Sequence, residues 1–123
     1  MYALVSDSFS VTPSSEVSNY VFIGEERRIS CRAASRNCKI TDFKWMRYVS
    51  EEVIPSQHVQ ITTESLDDNT METAILFTNI AEEHIGAYLC IASNECGESK
   101  YDSYIHLTGE ICLLLNFYTV QCK

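Results

Sequence analysis

The residues with the greatest capacity for chemistry in this chain are six cysteines: Cys31, Cys38, Cys90, Cys96, Cys112 and Cys122. A thiol can ligate a metal, attack an electrophile, cycle in a redox pair or form a bridge. No two of these are spaced as CxxC, which removes the zinc-ribbon and dithiol-redox patterns. An even number in so short a chain fits bridges made in an oxidising compartment. The three histidines, His58, His84 and His106, fall in different segments, and no Ser–His–Asp or paired-carboxylate constellation is suggested. Asp67 and Asp68 lie in LDDN, which has the composition of a turn and lacks the ligand spacing of a calcium loop. The chemistry expected is therefore structural: no enzyme, no metal, no cofactor, and cysteines that hold a fold together.

The elements that must position those cysteines have to fit in 123 residues, enough for one domain and one core. Nine basic and seventeen acidic residues leave a net charge of −8. Binding nucleic acid needs clustered Lys and Arg, so this balance argues against it, and equally against heparin or an anionic membrane surface. Basic density is confined to Glu25-Glu26-Arg27-Arg28 and to residues 32–39, which read as solvated strand ends. The first ten residues, MYALVSDSFS, lack the basic region and apolar run of a secretory signal, so Met1 reads as the start of an excised piece. The longest apolar run, 111–120, is half the ~20 residues of a membrane span and is interrupted by Asn116. There is no Asn-x-Ser/Thr acceptor.

Alternation of apolar and polar residues predicts an all-β chain. Strands are expected at 27–33, with Ile29 and Cys31 inward, and at 42–48, with Phe43 and Trp45 inward. Others are expected at 58–63, at 73–79 (Ile75 and Phe77 inward), at 86–93 (Tyr88 and Cys90 inward) and at 99–108 (Ser103, Ile105 and Leu107 inward). Residues 66–69 form a turn, and 81–85 a single helical turn. Residues 1–18 read as a loosely held N-terminal segment carrying an edge strand, with a further strand at 19–23. The domain proper spans 19–109, and 110–123 is a C-terminal extension.

Cys31, Trp45 about a dozen residues on, Tyr88 and then Cys90 resemble the signature of the immunoglobulin Greek-key β-sandwich. In that fold two antiparallel sheets are joined by a disulfide on which the tryptophan packs, and the tyrosine hydroxyl ties a corner to nearby backbone. The resemblance implies a Cys31–Cys90 core bridge with Trp45 and Tyr88 in the core. Residues 21–108 resemble an intermediate-set (I-set) domain, with a short C′ strand and no C″. FKWMRYV, AILFTNIAEEHIGAYLCIASNECG and a tyrosine-bearing last strand are most like the third immunoglobulin domain of fibroblast growth factor receptors. His84 departs from that pattern, which has Asp there, paired with a basic residue near strand D; either Glu82 or Glu83 takes its place or the pair is missing.

Cys38 lies seven residues after Cys31, and Cys96 six after Cys90. In such a sandwich the B–C and F–G loops share one end, so nearly equal offsets bring Cys38 and Cys96 together as a second bridge, with two unpaired thiols as the alternative. Cys112 and Cys122 flank LLLNFYTVQ. They pair across a hairpin turning at Asn116, pair between molecules, or lie in an unstructured tail.

The outward face of strands C, F and G carries Met46, Tyr48, Leu89, Ile91, Tyr104 and His106, an apolar and aromatic stripe on a side expected to be wet. It fits a protein ligand or a second copy of the domain, a homodimer included. It also fits cover by the apolar tail at 113–118, or scattered residues of no consequence. The function expected is protein recognition by an extracellular domain of a receptor or adhesion molecule, with no membrane span in this chain. Alternatives are a structural module of an intracellular muscle-type array, whose cysteines would be reduced, and a secreted decoy or immune effector.

Overall fold

The computed structural model describes residues 8–48, 51–102, 104–110 and 112–122, and the backbone alone of 112–115 and 119–122. β1 (Phe9–Pro13), β3 (Arg27–Ser35), β7 (Thr70–Phe77) and β6 (Val59–Asp67) form one antiparallel sheet, in the order β1-β3-β7-β6. The second sheet runs β2 (Ser18–Val21), β10 (Ile105–Gly109), β8 (Gly86–Asn94), β4 (Ile40–Arg47), β5 (Glu51–Glu52). A short β9 (Ser99–Lys100) also pairs with β8. The strand orders A-B-E-D and A′-G-F-C-C′ make this an immunoglobulin-like β-sandwich. β2 runs parallel to β10, and every other pairing is antiparallel.

Period-2 alternation decides what fills the space between the sheets. Ile29, Cys31 and Ala33 point in from β3, Ile75 and Phe77 from β7, Tyr88, Cys90 and Ala92 from β8, Ile105 and Leu107 from β10, and Trp45 from β4. Cys31 and Cys90 are bonded across the sheets with their α-carbons 6.5 Å apart. Trp45 stands directly opposite Cys90 in the β4–β8 register. Its indole Nε1–H donates to Thr73 Oγ1 at 3.1 Å, which satisfies the one polar atom of the side chain.

Three details differ from the reading of the sequence. The N-terminal edge strand is not loosely held: Phe9 and Val11 of β1 belong to the core, and Lys100 Nζ donates to the Phe9 carbonyl at 2.8 Å. The turn at 66–69 is tighter than LDDN suggests, because β6 continues through Asp67 and β7 begins at Thr70. The Asp67 carboxylate accepts from Asn69 N–H at 2.8 Å and caps a two-residue loop. The last strand is split into β9 and β10, and Ser103 lies outside the described residues. Of the alternatives open for the C-terminal extension, the backbone takes the hairpin: 112–122 forms a separate two-stranded sheet, β11 (Cys112–Asn116) with β12 (Thr119–Cys122). Phe117 and Tyr118 at its tip are almost wholly exposed, so they do not cover the C-F-G face. The side chains of Cys112 and Cys122 lie outside the described residues.

Candidate protein-binding face

The outer surface of β10, β8 and β4 is built in rungs. Met46 faces Leu89 and Lys44 faces Ile91 across β4 and β8, while His106 faces Ala87 across β10 and β8. Just past the end of β4, Tyr48 N–H donates to the Ala87 carbonyl at 3.0 Å, so Tyr48, Ala87 and His106 share a level. The small Ala87 side chain leaves the centre of that level open to the larger rings beside it. Tyr48 and Tyr104 meet edge to face with centroids 6.0 Å apart, and Tyr104 lies 6.3 Å from the His106 ring. The result is a continuous run of three aromatic side chains crossing the sheet from β4 to β10.

The six residues expected on this face do share it, but they are not equally accessible. Tyr48 is 67% exposed and Tyr104 36%, with His106 also exposed. Met46 and Ile91 are half-buried. Leu89 is the correction: it points outward yet is only 8% exposed, and it is not part of the core cluster. Its cover therefore comes from the outer face, where Met46 stands directly opposite. Alternation alone gives the side a residue points to, not how far its neighbours on that side cover it. What remains open to a partner is aromatic and polar, bordered by Glu52, which pairs with Met46 at the sheet edge.

A second cluster went unseen in the sequence. Arg47 occupies an inward position on β4 directly opposite Tyr88. Its guanidinium donates to the Glu83 carbonyl at 2.7 Å and the Ile85 carbonyl at 2.9 Å, and lies 5.1 Å from the centre of the Tyr88 ring. Tyr88 Oη donates to the His84 carbonyl at 2.6 Å. His84 itself accepts from Ala81 N–H through Nδ1 at 2.8 Å and packs on Phe77. The 3-10 turn Glu82–His84 is thus held by Arg47 and Tyr88, and among the described residues neither Glu82 nor Glu83 forms an ion pair. Burial pushes the Tyr88 phenol up to about 12, with Arg47 pulling the other way. The sequence signal was a lone arginine two residues after Trp45, at the same strand parity.

At the opposite end, Cys38 and Cys96 are bonded, with α-carbons 5.8 Å apart. The buried Asn94 organises this end. Its Oδ1 accepts from the N–H groups of Cys96 and Glu98 at 3.1 and 3.0 Å, and its Nδ2 reaches Ser35 Oγ at 3.4 Å. Ser35 Oγ in turn donates to the Cys38 carbonyl. The three histidines stay apart: His58 meets Thr78, His84 the 3-10 turn, and His106 the outer face. No helix among the described residues is long and apolar enough to cross a membrane.

No protein-family model matches the chain. Among solved structures it is similar to a chain of the crystal structure of Dpr2 Ig1-Ig2 in complex with DIP-Theta Ig1-Ig3, with a TM-score of 0.71 at 15% identity. The match covers 82% of this chain and 32% of that one, so the present chain corresponds to only part of the matched protein. At that identity the likeness establishes the immunoglobulin-like fold alone.

Proposed function

We propose that this chain is an extracellular protein-recognition domain of a receptor or adhesion molecule, and that it binds a protein ligand or a second copy of itself through the C-F-G face. The observation that carries the reading is the exposed aromatic run Tyr48–Tyr104–His106 across the outer face. Tyrosine offers a large contact area, and its few rotatable bonds limit the entropy lost on binding. The ring-to-ring contacts at 6.0 and 6.3 Å hold the run in order before a partner arrives. The solved neighbour comes from a complex between immunoglobulin-domain proteins, which supports a protein as the kind of partner. A net charge of −8 disfavours heparin and nucleic acid.

Intermediate-set membership is supported by β2 lying parallel to β10 and by a two-residue β5. The growth factor receptor likeness of FKWMRYV and AILFTNIAEEHIGAYLCIASNECG supports a receptor parent. The domain then comprises β1 to β10, with 110–123 as its extension. A reduced module of an intracellular array is disfavoured by the Cys38–Cys96 bridge, which adds a second cross-link at the loop end.

The test is a binding screen of the tagged domain against arrayed ectodomains, with this chain included as its own candidate partner. Tyr104→Ala and Ile91→Asp are run alongside. A partner whose affinity falls at least about tenfold with both variants supports the face, since an interface-centre aromatic is worth more than about 1.4 kcal/mol. Partners bound equally by folded wild type and both variants sink it.

A further inference from the structure

We propose that the C-terminal hairpin is closed by a third disulfide, Cys112–Cys122, which makes 112–122 a covalently locked finger with an aromatic tip. The backbone register carries the inference. Cys112 lies directly opposite Cys122, followed by Leu113 opposite Gln121 and Leu114 opposite Val120. Facing residues of an antiparallel pair have α-carbons about 4.5 or 5.5 Å apart, and both values fall within the roughly 4.4–6.8 Å span that a disulfide accepts.

That register depends on a bulge. Nearest the turn, Asn116 pairs with Thr119, and the register shifts between Leu114 and Asn116. Continued without the shift, the Asn116–Thr119 ladder would bring Leu113 opposite Cys122 and leave Cys112 one residue off. The bulge absorbs one residue and brings the two cysteines face to face. The turn is set locally, with Tyr118 N–H donating to Asn116 Oδ1 at 2.8 Å.

Two further observations agree. The hairpin is a sheet of its own, paired with neither sheet of the sandwich, and an isolated two-stranded hairpin is marginal in water without a staple. The other four cysteines are consumed by the two bridges already described, so none of them competes for either member of this pair. The bond forms by thiol–disulfide exchange in an oxidising compartment. The two thiols give up two protons and two electrons to a disulfide oxidant such as oxidised glutathione, which leaves as two thiols while one S–S bond joins Cys112 to Cys122. The product holds Phe117 and Tyr118, 94% and 95% exposed, at the end of a closed loop.

Tryptic mapping of the whole, unreduced chain tests this. Trypsin cuts after Lys100 and next after Lys123, so peptide 101–123 is released with Cys112 and Cys122 and no other cysteine. After alkylation at acidic pH without reductant, the expected peptide is unalkylated, monomeric and two hydrogens lighter than its reduced form. A chymotryptic nick at Phe117 or Tyr118 should add one water and leave both halves joined until reductant is added. An alkylated peptide overturns the proposal, as does one linked to a second copy or to a cysteine of the sandwich.

Discussion

Trp45 and Thr73 show how a single residue can be tied to the fold by chemistry that its hydropathy hides. Thr73 is fully buried, accepts from the indole, and also meets Thr63 Oγ1 at 2.9 Å. Thr73→Val keeps the shape and strands the indole N–H in the core, so urea unfolding should show a loss of about 1–3 kcal/mol, the cost of an unsatisfied buried donor. Tyr88 makes a pH-dependent statement. Its phenol titrates at 10.0 in a solvated chain and about 12 in the fold. The folded state therefore binds the proton more tightly, and the stabilisation is fully present below pH 10.0 and lost as the pH rises towards about 12. Tyr88→Phe should lose less stability than wild type between those two pH values when denaturation midpoints are compared, because the linked proton is gone. Tyr88 was readable from its place two residues before Cys90. Thr73 was not, because strand parity says which way a side chain points and not which polar atom waits across the core.

At the scale of elements, the corner before β8 depends on a glycine and an arginine together. Gly86 has φ +152°, and a β-carbon there would lie 3.0 Å from Arg47 Nη2. Gly86→Ala should crowd the guanidinium and strain the backbone at this positive φ, destabilising the fold by about 1–3 kcal/mol in thermal or urea unfolding, the scale of local backbone strain. At the other end, the Cys38–Cys96 bridge acts on a chain already closed by Cys31–Cys90. The additional loop is only about 15 residues, so replacing both Cys38 and Cys96 with Ser should cost about 3 kcal/mol of unfolding free energy. A double variant that unfolds at the wild-type midpoint would show that Asn94 and Ser35 hold the loops unaided. The cysteine offsets made this pairing legible in the sequence. The length of the β6–β7 hairpin was less so, since Glu64 to Leu66 are exposed and run straight into the turn-forming residues of LDDN.

For the whole molecule, surface charge and sheet packing act separately. With a charge of −8 and an apolar-aromatic face, the domain should pass unretained through a heparin column at low salt. Retention there would reveal a basic site that the composition conceals. The sequence by itself determined the two-layer architecture, because Cys31, Trp45, Tyr88 and Cys90 resemble the immunoglobulin signature, in which two sheets are bridged over a buried indole. It also determined which side of each strand meets the core, since that follows from a period of two. Only the tertiary structure decided that Leu89 is covered, that Phe9 and Val11 complete the core, that Arg47 holds the 3-10 turn, and that a bulge sets Cys112 opposite Cys122. Each of these depends on which residue of one strand stands beside which residue of another, and that register is set by long-range pairing and packing that no local pattern along the chain encodes.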